Sequence, residues 1–295
     1  MTDRLNQVAS LHDGRALGFA EYGDPDGKPV FYFHGHPSSR LECPLFDPEN
    51  AVLELGVRLI AADRPGHGLS DPQRGRTMLD WPDDVIELAD TLRIKRFAVL
   101  GVSGGGPFAA ACAFKIPDRL TRTAIVCGMG PAEAPGAKDG TSWTYAGKPA
   151  LVRNVLLKMM VVGLRRDPDT FNQRVLSQMN EALPAPDVEA MGDPELAGSF
   201  LERTFGEALR SGIRGASSDA KLYSKPWGFR LEDIGADVHL WHGELDGQVL
   251  PSVGRYVAGA IPNCRATFAP NDGHISLPRH VMRDVLRVLI SAGGS

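Results

Sequence analysis

The sequence predicts an α/β fold, a mostly parallel, twisted sheet flanked by helices, with a helical segment inserted into it. Three observations carry that reading. Short, continuously apolar runs of strand length alternate with helical patterns toward both ends of the chain, as expected for parallel strands buried on both faces. The alternation stops from about Gly130 to Trp227, where only helical patterns occur, and then resumes. One apolar run also leads straight into a glycine cluster and a small-residue helix, a sharp strand-to-helix turn.

In chain order, a His12-Asp13-Gly14 turn followed by ALGFAEYGD predicts an opening β-hairpin. PVFYFHG from Pro29 and VRLIAADRPGHG from Val57 are buried strands, the second ending in a Gly/Pro loop. DDVIELADTLRI from Asp83 has Val85, Ile86, Ala89 and Leu92 at helical spacing. FAVLGVSGGG from Phe97 is a strand that enters the glycine cluster, followed by a helix from about Pro107 to Phe114 and the strand RTAIVCG. PAEAPGAKDG reads as a loop, and LVRNVLLKMMVVGL and FNQRVLSQM as helices. DVHLWHGELDG and RATFAPNDGH are the closing strands, and RHVMRDVLRVLI is an amphipathic final helix. The expected organisation is an α/β core formed by residues 1–130 and 229–295, with residues 131–228 as a helical insertion. Within it, Met159, Met160, Met179 and Met191 suit an adaptable pocket lining, although most are expected simply to pack the insertion's own core.

Composition narrows the function classes. The 295 residues, 43% hydrophobic and 23% charged, suit a globular chain with one large domain and an elaboration. A net charge of −4 with no long Lys/Arg run argues against nucleic acid as a partner. The apolar runs fall short of the roughly 18–20 residues of a membrane helix. The N-terminal MTDRLNQVAS has no apolar core of a signal peptide, so the expected location is the cytoplasm, with no membrane partner. Cys43, Cys112, Cys127 and Cys264 are scattered without a CxxC pair, so neither a zinc site nor a catalytic cysteine is expected.

The chemistry centres on GVSGG at Gly101–Gly105, a G-x-S-x-G pattern between an apolar strand and a small-residue helix. A serine on such a turn needs small neighbours for the backbone to pass, and the helix N-terminus favours developing negative charge beside it. A phosphate-binding turn would instead show GxGxxG or GxxxxGK[ST], which are absent. A serine hydroxyl needs a base to take its proton and an acid to orient that base. NDGHISL supplies His274 and WHGELDGQVLP supplies Asp246, about thirty residues before it. Glu244 lies closer to the strand, and Asp272 reads as a turn residue.

HGHP at His34–Pro37, DRPGHGLSD at Asp63–Asp71, GVSGG around Ser103, WHGELD up to Asp246 and GHISL around His274 occur in this order. On those motifs the chain resembles α/β-hydrolase-fold proteins with a helical cap. The resemblance spans most of the chain outside the insertion, which would be the cap. It implies that Ser103 is the nucleophile, His274 the general base and Asp246 the orienting acid. It also implies that the backbone N–H groups of His36 and Gly104 form the oxyanion hole, and that DRPGHGLSD structures the site. Glu133 is a minor alternative acid. Serine at the elbow departs from the dehalogenases and epoxide hydrolases of this fold, HGHP from HGGG-type esterases, and Gly104 from the Trp of proline-iminopeptidase-like elbows.

By that resemblance, the expected activity is that of a carboxylic ester hydrolase on an ester of a small to medium apolar acid or alcohol, through an acyl-enzyme and with no metal or organic cofactor. The alternatives are the same triad on another bond (a C–C bond hydrolase, lactonase, amidase or cofactor-free lyase) and a non-enzymatic ligand receptor. His34, His67 and His280 are expected to be structural or solvated, His239 and His242 to face opposite sides of a strand, and no third metal ligand is expected near His34 and His36.

Overall fold

The computed structural model describes residues 4–47 and 50–291. β1 (Gln7–Ser10) and β2 (Ala16–Gly23) form the opening antiparallel hairpin, with Ser10 opposite Ala16. β3 (Lys28–Phe33), α1 (Ala51–Glu54), β4 (Val57–Ala62), α2 (Trp81–Thr91), β5 (Phe97–Val102), α3 (Gly106–Lys115) and β6 (Leu120–Val126) continue the first part of the core. Helices alone follow among the described residues: α4 (Thr141–Ala146), α5 (Ala150–Arg166), α6 (Pro168–Ala182), α7 (Ala185–Met191), α8 (Pro194–Leu201) and α9 (Arg214–Tyr223), with a π-helical turn at Glu202–Gly206. β7 (Val238–Gly243), α10 (Pro251–Ala260), β8 (Cys264–Ala269) and α11 (Ser276–Ile290) complete the chain.

The strands form one sheet in the order β1-β2-β4-β3-β5-β6-β7-β8. β2 meets β4 antiparallel, and every pairing from β4 through to β8 is parallel. Alternation along the central strands divides the core between the two faces. Phe31, Phe33, Phe97 and Val99 pack with Trp81 and Val85 of α2, Phe108 of α3 and Val253 of α10. Val30, Tyr32, Ala98 and Leu100 pack with Val285, Leu286 and Leu289 of α11. Both faces are covered, which is why these strands read as continuous apolar runs.

Several boundaries differ from the sequence reading for local reasons. α2 starts at Trp81, two residues early, because Thr77 and Asp80 form a capping box just before it and Pro82 needs no donor in the first turn. α11 starts at Ser276, where a carboxylate from α7 accepts its first backbone N–H group. The four-residue α1 is too short to show a period.

The helices between β6 and β7 are anchored on both sides of the sheet. Tyr223 of α9 joins the α2/α3 face, while Met191 of α7 and Phe200 of α8 join the α11 face. Leu157 of α5 packs with Leu209 and with Ala216 of α9 in a small core of their own. Trp227, at the exit, is buried and lies 5.8 Å from the Phe229 ring. Among the described residues no helix is long and apolar enough to cross a membrane.

Candidate active site

At the end of β5 the chain turns at Ser103 with φ +52°, a left-handed conformation that costs a side-chain-bearing residue of order 1–3 kcal/mol. Glycine permits the turn by steric necessity. A methyl group at Gly105 would stand 2.0 Å from the Phe33 carbonyl oxygen, and one at Gly101 2.4 Å from the Gly105 oxygen. The spacing in GVSGG therefore follows from how closely the strand, turn and helix backbones pass.

Two further loops converge on Ser103. Asp246 follows β7, and its Oδ1 accepts the N–H groups of Gln248 (2.8 Å) and Val249 (2.9 Å), which fixes the carboxylate. Its Oδ2 accepts from Nδ1 of His274 at 2.7 Å, and His274 Nε2 lies 2.9 Å from Ser103 Oγ. With Nδ1 protonated toward the carboxylate, Nε2 is left to accept the serine proton. Burial pushes the His274 imidazole down, but the Asp246 charge and hydrogen bond, aided by Asp187, outweigh it and hold His274 above the ordinary histidine value.

The competing acids point elsewhere. Glu133 is exposed on the loop after β6, Glu244 pairs with Arg255, and Asp272 bonds His280 at 2.6 Å. His280, expected to be only solvated, is exposed but has that partner. His242 donates to the Val249 carbonyl at 2.8 Å and lies 3.5 Å from Asp246 Oδ2, behind the acid. His239 instead stacks near Trp241 at 6.0 Å.

The HGHP turn is braced from below. His34 Nδ1 donates to the Gly35 carbonyl (2.9 Å) while its Nε2 accepts the Arg64 N–H (3.2 Å), which sets its tautomer and gives it the expected structural role. Arg64 also donates to the carbonyls of His34 and, at 2.7 Å, Gly35. The Gly35 N–H lies 2.9 and 3.1 Å from the two Glu42 oxygens, and Tyr32 Oη donates to Glu42 at 2.6 Å. The backbones of His36 and Gly104 run side by side: a methyl at Gly104 would lie 3.2 Å from His36 N and 2.6 Å from His36 Cβ. Tyr223 Oη donates to the Gly104 carbonyl at 2.9 Å.

The sequence reading expected no third metal ligand near His36, and here the structure differs. It brings His67 and Asp219 of α9 beside His36, with candidate ligand atoms within 4.8 Å of one another. The donor set does not fit a cation, because Asp219 already bonds two guanidinium groups, Arg64 at 2.8 Å and Arg76. Burial would raise Asp219, but those two charges hold it well below the usual carboxylate range. Burial keeps His34, His36 and His67 neutral, the last lowered to about 3. In a second trio, Cys127, Asp246 and His274, the latter two are committed to the hydrogen bonds above, and Cys127 Sγ donates to the His274 carbonyl at 3.6 Å. Burial also pushes the Cys127 thiol well up, so it is an inert neighbour.

Sequence reasoning missed Asp187. This buried α7 residue accepts the N–H groups of His274 (2.9 Å), Ile275 (3.0 Å) and Ser276 (2.9 Å), and the Ser276 hydroxyl (2.9 Å). It holds the loop that carries His274 at the N-terminus of α11, where negative charge is favoured. Asp187 lies in PAPDVEAM, which carries no motif, so no local signal marked it.

Two cavities meet at Ser103. The larger, about 260 Å³, is bounded by Met129, Ala146, Leu157 and Met160, with Thr141 and Ser142 as polar members. The smaller, about 90 Å³, is bounded by Glu42, Phe46, Phe200, His274 and Ile275. His36, Pro37, Ser103, Phe205 and Gln248 belong to both walls. Of the methionines considered, Met160 lines the larger cavity, Met159 is exposed and Met191 is buried; the Met179 side chain lies outside the described residues.

A family model described as alpha/beta hydrolase fold matches residues 28–280. A non-heme chloroperoxidase of Streptomyces lividans is 35% identical over 129 residues, covering 42% of this chain and 45% of that protein. A proline iminopeptidase of Arabidopsis thaliana is 31% identical over 117 residues, 38% of this chain and 29% of that protein. The chain thus spans less than half the length of these curated relatives. Among solved structures, the esterase RhEst1 from Rhodococcus sp. ECU1013 superposes with a TM-score of 0.71 at 22% identity, covering 99% of this chain and 100% of that one. A bromoperoxidase from Bacillus anthracis gives 0.67 at 20% identity over 97% and 100% of the two chains. At these identities the structural likeness is one of fold.

Proposed function

Since the chain belongs to the α/β-hydrolase fold family, we propose that it is a serine hydrolase acting on a carboxylic ester of a small to medium apolar acid or alcohol. The observation that carries this reading is the unbroken hydrogen-bond chain Ser103–His274–Asp246 at the junction of the two cavities. His274 takes the Ser103 proton as Oγ attacks the carbonyl carbon, and Asp246 orients and stabilises the imidazolium. The backbone N–H groups of His36 and Gly104 hold the developing oxyanion, each worth on the order of 3 kcal/mol of barrier. His274 then protonates the departing alcohol and activates water to release the acyl group. Residues 131–228 act as the cap that closes the site, and the cycle needs no metal or organic cofactor.

A fluorophosphonate probe tests the nucleophile. It should label the wild type and not Ser103→Ala, and equal labelling of both would overturn the assignment. To test the acid, turnover of a short-chain ester by Asp246→Asn should fall by about 10⁴-fold, while Glu133→Gln stays near wild type. A larger loss in Glu133→Gln would transfer the role.

A further inference from the structure

The two cavities meet at one nucleophile, but only the smaller has His274 in its wall. That asymmetry assigns the two halves of the substrate, given the serine-hydrolase reading. When the tetrahedral intermediate collapses, the bond from the carbonyl carbon to the alkoxy oxygen breaks. That oxygen takes the proton His274 received from Ser103, so it must come within hydrogen-bond reach of Nε2. The leaving alcohol therefore occupies the space that His274 bounds, and the acyl chain the other. After the alcohol departs, water enters the same small space, loses a proton to Nε2 and attacks the acyl-enzyme. One ester and one water thus give one acid and one alcohol, with Ser103 regenerated.

We propose that the preferred substrates are esters of medium-length apolar acids with short, uncharged alcohols, the acyl chain in the larger cavity and the alcohol in the smaller. The larger space, at about 260 Å³, is walled mainly by apolar side chains, with Leu157 and Met160 supplied by α5. The smaller, at about 90 Å³, is lined by Phe46 and Phe200 among others. No lysine or arginine is among the described residues that line this space, so an anionic alcohol would be buried there without a cation to pair it.

Ethyl hexanoate and hexyl acetate are isomers, so comparing them changes only which side of the ester is long. Following acid release by titration, kcat/KM for ethyl hexanoate should exceed that for hexyl acetate by at least about tenfold, within the range that a few methylenes in an apolar pocket provide. Equal rates or the reverse order would overturn the assignment. Met160→Trp, which narrows the larger space, should lower the ratio of ethyl hexanoate to ethyl acetate turnover. Phe200→Ala should raise hexyl acetate relative to ethyl acetate, and opposite responses in these ratios would again overturn the proposal. If neither isomer is hydrolysed but a fluorophosphonate labels Ser103, the partition fails and the serine-hydrolase reading stands. If labelling fails too, both fall.

Discussion

Asp187 acts on His274 in two ways. It accepts the backbone N–H groups of the loop that carries the imidazole, and its charge helps hold His274 above the ordinary histidine value. In the proposed mechanism His274 must be neutral to take the Ser103 proton, so activity should rise with pH through a midpoint above that value. Asp187→Asn removes the charge while keeping the shape, and the acid limb of kcat/KM against pH should move to lower pH. A fall in kcat with an unmoved limb would mean that Asp187 only holds the loop. His36 makes a different case. Its ring packs toward Asp219 (3.7 Å) and lies 5.2 Å from the Tyr223 ring, whereas the proposed oxyanion donor is its backbone. In His36→Ala the turnover of a short ester should stay within about tenfold of wild type, while the thermal midpoint drops. A loss as large as that of Ser103→Ala would show that the ring takes part in the chemistry.

At the scale of elements, α9 joins the helices between β6 and β7 to the sheet. Its Asp219 bonds Arg64 and Arg76, both on the core side, and Arg64 in turn holds the carbonyls of the HGHP turn. All three side chains are buried. Removing one member of such a group leaves charge uncompensated, so Asp219→Ala should cost about 3–5 kcal/mol in denaturant unfolding. The double variant Arg64→Met/Asp219→Met should recover part of that loss. A loss below about 1 kcal/mol for Asp219→Ala would show that water compensates the arginines. The strands, the main core helices and the elbow were legible from the sequence, because apolar alternation and glycine sterics act over a few residues. The partners of α7 and α9 were not, since Asp187 and Asp219 read as ordinary polar positions on helices without a motif.

For the whole molecule, the buried histidines tie stability to pH. His34, His36 and His67 are held below the ordinary value by burial, so they stay neutral in the fold and protonate first in the unfolded chain. Below about pH 6.5 the unfolded state then binds more protons, and stability falls as pH falls. His274, raised, works in the opposite sense and adds stability at low pH that is lost as pH rises through its own value. His239 and His242 are lowered by burial as well. Glu42, Asp63 and Asp84, raised by burial, act in the same sense as His274 but from a lower starting value. Between pH 7 and pH 5 the five lowered histidines outweigh the raised one, and the thermal midpoint should drop. A flat or rising midpoint would contradict this balance. Near pH 4 and below, protonation of Asp219 in the unfolded chain adds a further loss, because its carboxylate is depressed in the fold.

The sequence by itself determined the strand and helix alternation, the all-helical stretch that interrupts it, the GVSGG turn and the order in which Ser103, Asp246 and His274 follow one another. Each follows from short-range physics: which faces must be buried, which backbone can turn, and which groups chemistry requires beside a serine hydroxyl. Only the tertiary structure decided that Asp187 holds the His274 loop from 87 residues away, that Asp219 gathers two arginines and two histidines, and that the space at Ser103 divides unequally. Those outcomes depend on how distant segments close against one another, and the closure is set by the packing of both sheet faces, not by any local spacing.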